Sequence, residues 1–214
     1  MGNSYGPKST VADGLVFVCD PGNPLCYTSG SANVETLYSD NLTGGPVSGS
    51  LGGDCFWDVN EKVWVNDGLS DYVEIQPFSC PGQALTVSVW AKSDNAAWTD
   101  YGFLVSKRSS FILHPYPSST KVAWIVYTDG GSGNAHFTGA TVNEWHQWVG
   151  TYDGADAKLY LNGELKHTVS LTGTVAADAA GVMYIGADDY STGRSIDGKI
   201  GTVKIYSRAL SQAE

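Results

Sequence analysis

Asn143 to Lys166 reads NEWHQWVGTYDGADAKLYLNGELK, and this stretch decides the fold. Trp145 to Tyr152 is rich in aromatic and β-branched residues, which suits a strand. Asp153-Gly154 breaks it. Lys158 to Leu161 alternates polar and apolar, the period of a half-buried strand. Asn162-Gly163 follows. A two-residue hairpin turn needs positive φ at both positions, and Asn-Gly accepts that readily. Glu164 to Val169 then runs back. The stretch predicts a tight β-meander with no helix in it.

The same pattern extends outward. From about Cys55, short strand signals recur at close spacing with turns between them, the mark of a sandwich or barrel. About a dozen strands are expected by that criterion. Residues 28–53 are dense in Ser, Gly, Thr and Asn and read as mostly loop. Residues 1–12 read as an extended N-terminal arm, and 13–214 as a single sandwich domain. Helical signals are brief. Ala176 to Gly181 allows one turn, and Ala209 to Glu214 reads as a helix start with Ser211 at the N-cap and Glu214 at N3.

Composition sets limits on function. The 214 residues suffice for one sandwich with a sizeable core. Only 16% are charged, and the net charge is −10. That excess of acid argues against nucleic acid and against anionic membranes, which both attract Lys/Arg patches. No apolar run reaches the roughly 18 residues of a membrane span, so no membrane insertion is expected. Met1 to Val11 has no apolar core of a signal sequence. The expected location is extracellular or the surface of a virus particle, reached by another route or after removal of a signal. Four cysteines, Cys19, Cys26, Cys55 and Cys80, allow two disulfides in three connectivities or four free thiols. Their spacing, with His114, His136, His146 and His167 scattered, does not fit zinc.

The motif Val149-Gly150-Thr151-Tyr152-Asp153-Gly154, followed by Leu159-Tyr160-Leu161-Asn162-Gly163, resembles the central signature of laminin-G-like, concanavalin A-like lectin/glucanase domains. Gly14 to Tyr27, Leu69 to Ile75, Leu85 to Lys92, Phe103 to Lys107, Met183 to Gly186 and Ile196 to Ser211 resemble the family's other segments in order. The resemblance implies an all-β, jelly-roll β-sandwich of two antiparallel sheets, with ligands taken at a sheet face or its rim.

Catalytic chemistry lacks its motif. Retaining glycosidases place two carboxylates across the scissile bond. The Glu-x-Asp-x-x-Glu run of the glucanase relatives is missing here, and Glu74, Glu144 and Glu164 stand alone. A polysaccharide lyase needs a Tyr or His base and an Arg to neutralise a uronate. His114, Tyr116, Tyr190 and Arg194 supply those types, but the sequence does not show them meeting.

Sugar binding needs aromatic rings to stack on pyranose faces and a few polar groups to orient hydroxyls. Trp90 and Trp145 fall at positions that resemble the family's core. Trp124 and Trp148 lie in β runs and read as core or sheet face, while Trp57 and Trp64 lie near strand ends and are open. Trp98 lies in a polar run, Ser93 to Tyr101, and reads as either a lid over the core or a binding platform. The candidate ligand-binding residues are Trp98, Tyr101, His114, Tyr116, Tyr127, Asp129, Tyr190 and Arg194. Calcium is the ion the resemblance implies, with Asp20 the candidate ligand. The acidic partner the family carries before its last strand is replaced here by Gly201-Thr202, which leaves Asp20 a second role as a turn cap.

The expected function is a non-catalytic, lectin-like module for a polysaccharide or glycoconjugate. The alternatives are a virion or phage structural or decoration protein that docks other virion or surface proteins, and a polysaccharide hydrolase or lyase.

Overall fold

A computed structural model describes residues 11–34, 47–98, 102–188 and 194–214. Among these, sixteen strands form. They are β1 (Leu15–Cys19), β2 (Asn33–Val34), β3 (Gly49–Gly52), β4 (Phe56–Asp58), β5 (Val63–Asp67), β6 (Tyr72–Ile75), β7 (Leu85–Ser93) and β8 (Val105–Lys107). They continue as β9 (Phe111–Pro115), β10 (Val122–Thr128), β11 (Gly131–Phe137), β12 (His146–Tyr152), β13 (Asp156–Leu161), β14 (Glu164–Ser170), β15 (Met183–Ile185) and β16 (Asp197–Tyr206). The count exceeds the dozen expected because strands such as β2, β4 and β15 are too short to show a period. Two of them, β2 and β3, fall in the stretch read as loop.

The strands form two antiparallel sheets. The first runs β14-β13-β12-β7-β16-β5-β4, with β1 also paired to β16. The second runs β11-β10-β9-β8-β15-β6-β3-β2. The fold is the all-β sandwich that the meander predicted. That meander is β12-β13-β14, and its turn holds Asn162 at φ 50° and Gly163 at φ 80°.

Alternation puts one face of each sheet in the core. On β7, Leu85, Val87, Val89 and Ala91 are buried inward. On β10, Val122, Trp124 and Val126 do the same from the second sheet. Gly150 on β12 sets the fit between them. A Cβ there would lie 2.1 Å from the Trp124 ring, so only glycine lets the indole lie against the opposite sheet. Trp124 Nε1 also donates to Thr151 O at 3.0 Å, which satisfies its one polar atom in the core.

The chain end differs from expectation. Glu214 accepts bonds from the Ser211 N–H at 3.0 Å and hydroxyl at 2.9 Å, and Arg208 pairs with it. These contacts close a turn, with no helix among the described residues. None of those residues forms a helix long and apolar enough to cross a membrane. All four cysteines are buried thiols outside any disulfide. Burial pushes the Cys55 and Cys80 thiols up to about 12, so they pack as small apolar groups.

Candidate functional site

The outward face of the second sheet carries the site. On β9, Ile112 and His114 point away from the core; on β10, Ala123, Ile125 and Tyr127 do so; on β8, Ser106 does. An outer face is normally solvated. Here Ser106, Ile112, His114 and Ala123 are buried, which marks a recessed floor.

Asp188 anchors one part of it. Its carboxylate is fully buried and accepts bonds from Ser106 Oγ at 3.2 Å, from Arg194 Nη1 at 3.0 Å and from Arg108 Nη2. A buried carboxylate is costly alone, and two guanidinium groups with a hydroxyl offset that cost. Both arginines still reach solvent, with side chains 26% and 37% exposed.

A stack of rings and cations runs from this clamp. Arg108 lies over Phe103 at 5.6 Å. Phe103 stacks on His114 at 4.4 Å, His114 meets Tyr116 at 4.7 Å, and Lys121 Nζ sits 4.0 Å over the Tyr116 ring. Tyr127 lies toward the Arg108 end, since its N–H bonds Ser110 O. His114 pairs across from Ala123, four residues along the strand from Tyr127, or about 13 Å. The site is therefore a strip, long enough for more than one sugar unit.

Titration fits a binding role. Burial pushes His114 down to about 4, with Arg108, Arg194 and Lys121 adding to it and the bond to Gly102 O opposing. The imidazole is neutral at pH 7. Burial raises the Tyr127 phenol, which keeps its proton and remains a donor. Arg108 and Arg194 thus pair with Asp188 at one end of the strip, and Lys121 stands at the other over Tyr116.

Four of the eight ligand candidates meet here: His114, Tyr116, Tyr127 and Arg194. Tyr101 and Tyr190 lie outside the described residues. Asp129 is exposed on the β10–β11 turn and accepts from Thr174 N at 2.7 Å, a turn contact away from the clamp. Trp98 is corrected outright. It is 2% exposed and sits in the hydrophobic core, held there by backbone bonds to Ser118 and Ser119. The polar residues around it form a pairing with the β9–β10 turn that drops the indole inward, so Trp98 is a lid.

Arg108, Phe103 and Asp188 were not singled out from sequence as ligand residues. Arg108 sits in a tight turn between β8 and β9, and such turns give no hydropathy signal. Trp90 and Trp145 are also corrected. Trp90 follows the outward register of Ser88 and is 40% exposed, and Trp145 is half-buried just before β12. Trp124 and Trp148 are core as read, Trp64 is buried, and Trp57 is half-buried with its Nε1 bonded to Pro21 O.

Asp20 caps a turn. Its Oδ1 accepts from Gly22 N at 2.9 Å. No group of three or more His, Cys, Asp or Glu side chains gathers among the described residues.

The profile of the concanavalin A-like lectin/glucanases superfamily matches residues 66–214. The chain belongs to that superfamily. No curated protein matches it in sequence. Among solved structures, it is similar to domain 4 of an extracellular arabinanase from Geobacillus stearothermophilus, in complex with arabinotriose. That match has TM-score 0.64 and 17% identity, and covers 93% of this chain and 95% of that one. It is also similar to the receptor binding domain of botulinum neurotoxin mosaic serotype C/D, with TM-score 0.69 and 16% identity over 95% of this chain and 50% of that one. A structure of botulinum neurotoxin type C, whose cell entry depends on interaction with two ganglioside molecules, aligns at TM-score 0.67 and 13% identity over 94% of this chain and 49% of that one. The chain spans about half the length of the toxin binding domains it matches. At these identities the likeness concerns the fold.

Proposed function

We propose that this protein is a non-catalytic carbohydrate-binding module whose ligand lies along the strip from Tyr127 through Arg108 and Arg194 to His114 and Tyr116. One observation carries the reading: side chains from β8 to β10 and from the segments around Phe103 and Arg194 converge on one recessed outer face. Rings offer stacking, and guanidinium groups offer paired donors. Two guanidinium groups and Lys121 along one strip favour glycans that bear carboxylates. A structural neighbour in complex with arabinotriose, and another whose cell entry depends on gangliosides, support a glycan partner. The module would act outside the cell or on a particle surface, where polysaccharides and glycoconjugates are met.

The convergence of His114, Tyr116 and Arg194 favours a second reading, β-elimination of a uronate polymer. The titration of His114 speaks against it: a base at about 4 is too weak to take a carbon-bound proton near neutral pH. A glycan-array screen, with and without calcium, tests the first reading. Saturable binding to carboxylated glycans should fall about tenfold or more in Arg194→Ala, the scale of a lost charged hydrogen bond. Silence of the folded protein across the array would sink it. Ultraviolet absorbance from unsaturated ends, on incubation with pectate, would favour the lyase.

A further inference from the structure

The first sheet has an outward face of its own, and two indoles stand on it. Trp90 points outward from the middle of β7, and Trp145 stands beside it just before β12. Tryptophan exposed at the centre of a strand, with sheet neighbours on both sides, is unusual for a surface that meets only water.

The backbone is shaped around the pair. β16 runs beside β7, and its register slips between Ile200 and Val203: Ile200 faces Ala91 and Val203 faces Val89. Two residues, Gly201 and Thr202, thus stand opposite Trp90, a β-bulge. Bulges re-aim side chains and open space beside ligand sites. A Cβ on Gly201 would lie 3.4 Å from Trp90 Cβ and 3.9 Å from the Trp145 ring, so Gly201 forms the floor between the indoles. The sequence reading had marked Gly201-Thr202 as this chain's departure from its relatives.

An open cleft of 380 Å³ results, lined by Glu61, Lys62, Val63, Trp90, Trp145, Gly201 and Thr202. Its size lies within the roughly 300–1,000 Å³ of small-ligand sites. The rim is polar and mixed in charge, with Asp58 and Asp94 also near the Lys199 amine. Glu61 is paired with Lys199, and Lys92 Nζ lies 5.7 Å over the Trp145 ring. Gln147 pairs across from Trp90 on β12 and also lines a second groove of 190 Å³, bordered by Ser88, Tyr160, Lys204 and Tyr206. The track is therefore longer than one ring.

We propose that Trp90 and Trp145 form a second carbohydrate site, one for neutral pyranose polymers, on the sheet opposite the arginine strip. The two rings supply apolar faces for stacking, and Glu61, Lys62, Gln147 and Thr202 supply hydroxyl partners at the edges. A protein partner fits less well. A stable interface needs about 800 Å² from each side with an apolar centre, and here the exposed apolar part is two rings inside a charged rim. A neutral polymer fits because the rim mixes charges of both signs and presents no patch of one sign. This site stands on its own observations and survives if the arginine strip proves not to bind glycans.

Affinity electrophoresis in native gels tests it, since a chain of net charge −10 migrates without a carrier. Gels are cast with laminarin, arabinoxylan or galactomannan, and with pectate as the anionic comparison. The wild type should be retarded by at least one neutral polymer. Trp90→Ala and Trp145→Ala should each weaken that retardation about tenfold, the scale of one lost stacking contact. Gly201→Leu should do the same by filling the floor, with both indoles still present. Arg194→Ala should leave neutral-polymer binding within about twofold. Trp90→Ala removes an exposed side chain, so it stays folded, and its melting curve checks this. No retardation of the wild type in any neutral gel overturns the proposal. So does retardation that survives both Trp90→Ala and Gly201→Leu. A dimer in sedimentation that Trp90→Ala dissolves, without gel retardation, would assign the rings to self-association and also overturn it.

Discussion

Trp98 and His114 show how burial decides what a residue can do. Trp98 was read as either a lid or a platform, and at 2% exposure it has no face to offer a ligand. Trp98→Ala should therefore behave as a core truncation and cost about 3–5 kcal/mol. Chemical denaturation would measure it, and a variant that kept wild-type stability would contradict the lid. His114 carries a pH signature instead. Its pKa falls from an ordinary 6.5 to about 4 on folding. The unfolded chain thus binds the proton first as pH drops. The stability that neutral His114 allows is complete above about 6.5 and is lost progressively down to about 4, by at most about 3 kcal/mol. Melting temperatures of the wild type should fall through that window more steeply than those of His114→Gln. Parallel curves would mean that the imidazole is not the group that senses acid.

At the scale of the element, the hairpin turn and the inter-sheet glycine make a contrast. Gly163 has φ 80° and nothing within 4 Å of an added Cβ. Gly163→Ala should cost only the left-handed backbone penalty, about 1–2 kcal/mol. Gly150→Ala forces a methyl to within 2.1 Å of the Trp124 ring. It should cost more, about 3 kcal/mol or beyond by overpacking, and equilibrium unfolding of the two variants would rank them. Asn162-Gly163 was legible in the sequence because a two-residue turn has few chemical solutions. The inward alternation of β7 was legible too. Trp90 was nonetheless expected in the core, because its position resembles the family's core position. The bare pattern Leu85-Val87-Val89-Ala91 already set Trp90 on the other face. The β16 bulge could not be read, since nothing in Ile200-Gly201-Thr202-Val203 says which residue is extra. The site was half legible. His114, Tyr116, Tyr127 and Arg194 were named by residue type. Arg108 and Asp188 join them only through tertiary contact, across 80 positions of chain.

At the scale of the molecule, the two sheets present different chemistry on their outer faces. Stacked sheets lie about 10 Å apart, so the arginine strip and the Trp90–Trp145 cleft cannot share one sugar unit. They should act as independent sites, with effects that add. A bridging assay tests this. A pectate-coated surface should capture the wild type, and the captured chain should then take up whichever labelled neutral polymer retards it in gels. Arg194→Ala should lose capture. Trp90→Ala should keep capture within about twofold and lose uptake. Salt should separate the faces further. Capture depends on Arg108, Arg194 and Lys121, and should weaken as the Debye length shrinks from about 10 Å at 0.1 M to about 3 Å at 1 M. Uptake of a neutral polymer rests on stacking and should hold. If Trp90→Ala weakens pectate capture as much as uptake, the faces are coupled through the core. The Gly150–Trp124 contact between the sheets would then be the first place to look for the path.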